Sequence, residues 1–402
     1  MKRSRLDALI LAQEQVDTLD RETIEAIQLT KLNRLLARER ARGGFYRGLP
    51  ERLDSLAQLA ALPFTTQEDL AQNAAGLLLT SQSEVRRVLS DATSGTTGAA
   101  KRVFYTEGDL ENTVRLYMAG LGELVFPGSV TMICFPFSGP FGLGELIAEA
   151  IVRLGARPLR LGGALRYGEY REVLARERPD TFVGMPVQLL SLLRACGRGS
   201  LRRALVSGEA SPESVTRACE EILGTRLFPH YGSRETGMAG AISCPAHEGM
   251  HLRENHIIAE IVAPDGTVLP RGEYGELVVT TVGMEALPLL RYRTGDRTRI
   301  LPGPCPCGSE TLRLDRLCRA QDGPSLPALD NIAFSVEALA DCRFALRGDA
   351  LTVRARMLGG ADGGELAEKL RAAFPELRVS VSAEPLRLDE RPLCAGKRTL
   401  LP

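Results

Sequence analysis

At 402 residues the chain exceeds what one hydrophobic core usually serves, so two or more domains are expected. Hydrophobic residues at 44% and charged residues at 25% fit a soluble globular protein. Lys+Arg and Asp+Glu number 50 each, which leaves no net field for nucleic acid or an anionic membrane, and no apolar run reaches membrane-span length.

The chain begins Met1-Lys2-Arg3-Ser4-Arg5-Leu6-Asp7, with charge and no continuous apolar stretch, so no secretory leader is expected. Apolar residues at helical spacing follow: Leu6, Leu9, Ile10 and Ala12, then Ile24, Ile27, Leu32 and Leu36. The pattern breaks around Asp17–Asp20 and closes at Gly43-Gly44. Leu62-Pro63-Phe64-Thr65-Thr66-Gln67-Glu68 reads as a loop entering a capped helix, with Thr65 three residues before Glu68, the capping-box interval.

Next comes Thr93-Ser94-Gly95-Thr96-Thr97-Gly98-Ala99-Ala100-Lys101. Its glycines let backbone N–H groups approach a phosphate, its hydroxyls donate to phosphate oxygens, and its ammonium offsets their charge. It is not the common P-loop, which needs Gly-Lys-Ser/Thr at its end. Lysine is scarce, five residues in all, which singles out Lys101 and Lys397.

From about 100 to 230, strand-like runs near 130–135, 158–161, 181–185 and 204–207 alternate with helical stretches near 144–154, 168–177, 187–196 and 212–223. That alternation predicts parallel strands with crossover helices, an α/β core. From 255 to 315 the pattern changes to short strands with turn signals, at 257–262, 275–281 and 297–301, which predicts an antiparallel β-rich subdomain. A linker is expected near 318–327, and a small α+β tail follows, with strands near 342–346 and 350–355 and a helix near 363–373.

Two further segments carry chemistry. Tyr231-Gly232-Ser233-Arg234-Glu235-Thr236 follows an apolar run, so it falls at a strand's C-terminal end, where α/β sheets place ligands. A glutamate there can hold Mg²⁺ against phosphate oxygens, and a tyrosine can lie on a purine. In Arg291-Tyr292-Arg293-Thr294-Gly295-Asp296, an aspartate after glycine at a strand end can accept both ribose hydroxyls.

The order of these segments resembles the adenylate-forming superfamily of acyl-CoA synthetases and adenylation domains, and within it the phenylacetate–CoA ligase-like branch. Phe45-Tyr46, Leu62–Thr66, Ser207-Gly208-Glu209-Ala210, Pro288–Asp296 and Cys305-Pro306-Cys307-Gly308 carry the likeness, which covers about residues 40–320. The resemblance implies a large α/β adenylation domain with a β-rich subdomain at about 240–315, spanning 1–318, and a small mobile α+β domain over 319–402. It implies attack of a carboxylate on the α-phosphorus of ATP-Mg²⁺, then transfer of the acyl group to CoA or a carrier-protein thiol. By the same resemblance Ser94, Gly95, Thr96, Thr97 and Gly98 cradle the triphosphate with Lys101. Gly208, Glu209 and Ala210 line the adenine pocket with Tyr231 and Gly232. Glu235 ligates Mg²⁺, Asp296 holds the ribose, Arg319 matches the hinge arginine, and Lys397 matches the near-terminal lysine that bridges carboxylate and α-phosphate. The hinge departs from the family pattern, reading Cys318-Arg319-Ala320-Gln321-Asp322, which favours another acceptor in the second step.

The nine cysteines are odd in number and mostly scattered, which suits a reducing cytoplasm. Cys244, His251, Cys305 and Cys307 make a Cys₃His set of the kind that holds structural Zn²⁺, with His247 the rival to His251. Members of the resembled branch carry zinc in this region. Phe135–Gly142 and Gly184-Met185-Pro186 are expected to border an acyl site for an aryl or other apolar acid. A homodimer is expected. A zinc-stabilised nucleotide-binding scaffold without catalysis is the alternative of a different class.

Overall fold

The computed structural model describes residues 4–91, 101–319, 324–396 and 398–401. The chain divides into two units, 1–123 with 230–320, and 124–229 with 321–402. Ser94, Gly95, Thr96, Thr97, Gly98 and Lys397 lie outside the described residues.

In the first unit the N-terminal pattern gives two helices, Arg5–Glu14 and Arg21–Arg42. Asp20 restarts the second by accepting the Thr23 N–H at 2.8 Å, and Gly43, at φ +67°, ends it in the left-handed conformation. Leu6 and Ile10 pack with Leu116 and Ala119 of helix Glu107–Leu121 and with Ile242. Helix Gln67–Asn73 is capped one residue later than the spacing predicts: Thr66 and Asp69 form the box. Thr65 is instead buried, donating to the Leu290 carbonyl at 2.6 Å and meeting the Tyr46 hydroxyl at 2.7 Å. Strands Arg87–Asp91 and Lys101–Tyr105 form an antiparallel hairpin with Asp91 opposite Lys101.

The β-rich region of this unit is antiparallel, as expected, in the order Ile258–Val262, Gly275–Thr280, Tyr292–Thr298, Cys318–Arg319. Asp296 sits within a strand rather than after one, because the third strand begins five residues earlier than the apolar run at 297–301 suggests. A second antiparallel set joins His230 and Tyr231 to Ala241–Ser243, then Met250–Leu252, then Arg313–Leu314.

In the second unit, the parallel strands run in the order Arg157–Arg160, Val130–Ile133, Thr181–Gly184, Arg203–Val206, with Phe228 and Pro229 alongside Leu205 and Val206. Helices Leu143–Arg153, Tyr167–Glu177, Pro186–Cys196 and Glu213–Leu223 supply the crossovers. The tail's hairpin, Leu339–Arg347 with Ala350–Met357, gains a third strand, Arg378–Pro385, parallel to Ala350–Met357. Its alternation of Val379 and Val381 with serines is short and weakly apolar, which hid it in the sequence. Leu329, Phe334 and Leu339 of the tail share one apolar core with Leu189, Leu193 and Val215. Arg194 donates to the carbonyls of Phe334 at 3.1 Å, Val336 at 3.0 Å and Leu339.

Among the described residues Arg291 is the largest fully buried side chain. It donates to the carbonyls of Ala60 and Leu62 at 2.6 and 2.7 Å, pairs with Glu260 at 2.9 and 3.0 Å, and lies over the Phe64 ring. Arg291→Met leaves Glu260 without its counter-charge and should lower unfolding stability by about 3–5 kcal/mol. Adding Glu260→Leu should recover part of that loss in denaturant titration. A single variant as stable as the parent contradicts the assignment.

Candidate active site and metal centre

Tyr231 ends its strand, and Gly232 begins a tight turn. A Cβ on Gly232 would sit 2.5 Å from the Met238 carbonyl oxygen and 3.0 Å from the Ala239 nitrogen. Only glycine fits where the chain folds back this closely. The turn that follows presents Glu235, fixed by the Ser233 N–H on Thr236 Oγ1 at 3.0 Å and by the Tyr105 hydroxyl on the Arg234 carbonyl at 2.8 Å.

The Glu235 carboxylate is held by two donors on Oε1: the Lys101 ammonium at 3.5 Å and the Tyr292 hydroxyl at 3.1 Å. Lys101 also reaches Gln67 Oε1 at 3.2 Å. Burial raises the acid's pKa, but the Lys101 charge, together with hydrogen bonds from Tyr292 and Ser233, outweighs it and draws the group below the usual glutamate range. The result is a buried, ionised carboxylate, a ready ligand for a hard divalent cation.

Tyr231 donates to Asp296 Oδ2 at 2.9 Å, so the expected purine and ribose residues are brought together directly. Asp296 is positioned by its own N–H on Thr294 Oγ1 at 3.1 Å, and Gly295, at φ +74°, donates to Glu276 Oε1 at 3.1 Å. Tyr292 and Asp296 both lie on strand Tyr292–Thr298, whose register with Gly275–Thr280 shifts between Arg293 and Arg297, so one bulged strand supplies a partner to Glu235 and to Tyr231. The Arg319 backbone pairs opposite Asp296.

Gly208, Glu209 and Ala210 belong to the second unit, after strand Arg203–Val206. Gly208 has φ +88°, and a Cβ there would stand 3.2 Å from the Phe135 ring and 3.5 Å from Met185. Glu209 accepts the Val187 N–H at 3.3 Å; burial pushes its acid up to about 7, even with the Arg398 guanidinium pulling it down. Of the three phenylalanines expected at an acyl site, Phe135 is buried beside Gly208, Phe137 packs where Gly144 lacks a Cβ, and Phe141 is exposed. Phe135 and Met185 are therefore the apolar surface next to this turn.

In the first unit, the ligand atoms of Cys244, His251, Cys305 and Cys307 all lie within 4.8 Å of one another. Cys244 Sγ is 3.7 Å from Cys305 Sγ, and Cys307 Sγ is 3.4 Å from His251 Nε2. His247 is not in this group; its N–H closes a turn onto the Cys244 carbonyl at 2.9 Å. The Cys305–Gly308 turn closes by the Gly308 N–H on the Cys305 carbonyl at 2.9 Å. Arg313 fixes the approach to it by donating to the Gly303 carbonyl at 3.0 Å and the Pro304 carbonyl at 3.2 Å. Burial lowers His251 to about 4, so its imidazole is neutral at pH 7, as a ligand must be. Burial and the neighbouring thiols push Cys307 up. A thiol pushed up in this way, as Cys307 is, favours thiolate when a cation joins it.

Tyr292, Tyr105 and Gln67 were not foreseen as site residues. Tyr292 stands inside the Arg291–Asp296 segment, but nothing in that segment marks it as the partner of Glu235. Tyr105 and Gln67 carry no sequence signal that distinguishes them from core and helix-start residues.

A depressed carboxylate contributes stability above its unfolded pKa and loses it as pH falls through its folded value. Lys101→Met should therefore destabilise the protein at pH 7, and the difference from the parent should shrink towards pH 3 as Glu235 protonates. Denaturant unfolding at both pH values checks this, and a pH-independent difference contradicts it.

A sequence model of the AMP-binding enzyme family matches residues 91–285. The phenylacetate–coenzyme A ligase of Thermus thermophilus is 32% identical over 327 residues, covering 76% of this chain and 72% of that protein. The phenylacetate–coenzyme A ligase of Escherichia coli is 30% identical over 330 residues, covering 77% and 74%. Among solved structures, a 2-hydroxyisobutyryl-CoA ligase in the postadenylation state superposes with a TM-score of 0.77 over 96% of this chain and 89% of that one; at 17% identity this establishes the fold. No helix among the described residues is long and apolar enough to cross a membrane. By this combination of relatives and fold, the chain belongs to the AMP-binding enzymes, in the phenylacetate–coenzyme A ligase branch.

Proposed function

We propose that this chain is an AMP-forming carboxylate–CoA ligase. A carboxylate oxygen attacks the α-phosphorus of ATP, pyrophosphate leaves, and the CoA thiol then takes the acyl group from the mixed anhydride and releases AMP. The observation that carries this reading is Glu235: a buried carboxylate kept ionised by Lys101 and Tyr292, on the same unit as the Tyr231–Asp296 pair.

In this reading Glu235 holds Mg²⁺, which neutralises charge on the phosphate oxygens. Lys101 does the same from the strand that follows Ser94–Gly98, and those residues cradle the triphosphate. The Tyr231–Asp296 contact, further along the strand that carries Tyr292, receives the nucleoside end, with Asp296 on the ribose hydroxyls. Gly208, Glu209 and Ala210 line the adenine side, and Gly232 keeps the backbone close. Lys397 offsets charge developing between carboxylate and α-phosphate. Arg319 serves the hinge between the two half-reactions. The relatives named for phenylacetate, with Phe135 and Met185 beside Gly208, favour an aryl or other apolar acid. The altered hinge after Cys318 favours, as a second reading, a carrier-protein thiol as acceptor. A structural Zn²⁺ held by Cys244, His251, Cys305 and Cys307 fits the clustered thiols and neutral imidazole, and would clip two turns of the β-rich region together.

ATP–pyrophosphate exchange against a panel of carboxylic acids headed by arylacetates should show acid-dependent exchange, with CoA thioester appearing when CoA is added. Glu235→Gln and Lys397→Ala should each lower exchange by roughly 10²-fold or more. No exchange with any acid overturns the enzyme reading, and exchange without CoA thioester transfers it to the carrier thiol. Metal analysis of the purified protein should find one zinc per chain, lost in Cys305→Ser; a metal-free parent contradicts the zinc assignment.

A further inference from the structure

The face of His251 turned away from the thiols carries a chain of hydroxyls. His251 Nδ1 is 2.8 Å from Thr311 Oγ1, Thr311 Oγ1 is 2.9 Å from Ser309 Oγ, and Ser309 Oγ is 2.6 Å from Asp7 Oδ1. All four residues are buried. Asp7 lies in the first turn of helix Arg5–Glu14, 302 residues from Ser309 in sequence.

Each hydroxyl has one proton, which fixes the direction of the chain. A carboxylate only accepts, so Ser309 donates to Asp7. Ser309 has then spent its proton and must accept from Thr311. Thr311 has in turn spent its own and can only accept from His251. The His251 proton is therefore on Nδ1, and the bare lone pair is on Nε2, the nitrogen 3.4 Å from Cys307 Sγ.

The geometry points to Asp7 as a positioning residue for the metal centre: through Ser309 and Thr311 it selects the His251 tautomer whose free nitrogen faces the three thiols. This rests on the zinc reading for its consequence and not for its proton count. It also means that metal loading and docking of the N-terminal helix favour each other.

The test uses full-length protein with ¹⁵N-labelled histidine, of which there are only four to resolve. In metal-stripped parent protein, His251 should show a protonated Nδ1 and an unprotonated Nε2. Asp7→Leu frees Ser309 to donate towards Thr311, so the chain reverses and the Nε2–H form should appear. Asp7→Asn keeps an acceptor oxygen and should retain the parent tautomer. In competition with a chromogenic chelator, Asp7→Leu should bind zinc about 10- to 100-fold more weakly, with Asp7→Asn near the parent. Loss of a helix-terminal charge alone would not move the tautomer. A parent with Nε2–H, or an Asp7→Leu variant with parental tautomer and affinity, overturns the proposal. A parent with the expected tautomer but no zinc affinity overturns the metal reading and leaves the proton relay standing.

Discussion

A carboxylate cannot be taken out of water uncompensated, and the arrangement around Glu235 follows from that constraint. Its charge survives burial because Lys101 and Tyr292 converge on one of its oxygens. The carboxylate and its two partners come from three distant stretches of one unit: the turn after Tyr231, the hairpin ending at Tyr105, and the strand Tyr292–Thr298. Each stretch carries a device that makes the convergence possible. Gly232 lets the turn fold back on Met238, and Tyr105 ties that turn to the hairpin. Thr65 and Arg291 fix the strand from beneath through backbone carbonyls. A site with its charge already in place costs no reorganisation when a polyphosphate arrives, which is what electrostatic catalysis of phosphoryl chemistry requires.

The cluster of Cys244, His251, Cys305 and Cys307 poses the converse problem. Three thiols crowd together, burial and the neighbouring thiols push Cys244 and Cys307 up, and a neutral imidazole completes the set. The surrounding chain invests in this arrangement. Arg313 braces the turn before Cys305, and Glu254 binds Arg21 at 2.8 and 2.9 Å and the Leu312 N–H at 2.7 Å, which holds helix Arg21–Arg42 to the same region. The N-terminal helices are thus tied to the β-rich region by buried polar contacts as well as by the apolar packing of Leu6 and Ile10. In the second unit, Arg194 and the shared core of Leu189, Leu329 and Phe334 bind the tail to the parallel sheet.

Much of this was legible in the sequence because periodicity and turn chemistry act locally. The break between the first two helices, the alternating strands and crossover helices over 130–223 and the antiparallel region all follow from such local signals, and apart from the strand Tyr292–Thr298 each is found within a residue or two of its expected bounds. What local signals miss is tertiary competition. Thr65 has the right spacing for a cap, but a buried partner at Leu290 claims its hydroxyl, and Thr66 caps instead. The start of the strand at Tyr292 was hidden because Arg291 and Arg293 look solvent-bound until Glu260 and Glu276 face them. Glu235, Tyr231 and Asp296 stand out in the sequence by their place in Gly-bearing segments; that Tyr292 donates to Glu235 and Tyr231 to Asp296 emerges only from three-dimensional proximity. His251 over His247 is a choice that spacing left open and strand register decides, since Met250–Leu252 pairs with Arg313–Leu314 and turns His251 towards the thiols.

The central claim is that a carboxylate attacks the α-phosphorus of ATP in a site built around Glu235. The most direct measurement follows oxygen. With a turned-over acid labelled with ¹⁸O in its carboxylate, ³¹P NMR of the released AMP should show one ¹⁸O per molecule, because the bridging oxygen of the mixed anhydride leaves with AMP. Unlabelled AMP, or formation of ADP with the label in inorganic phosphate, would contradict the account.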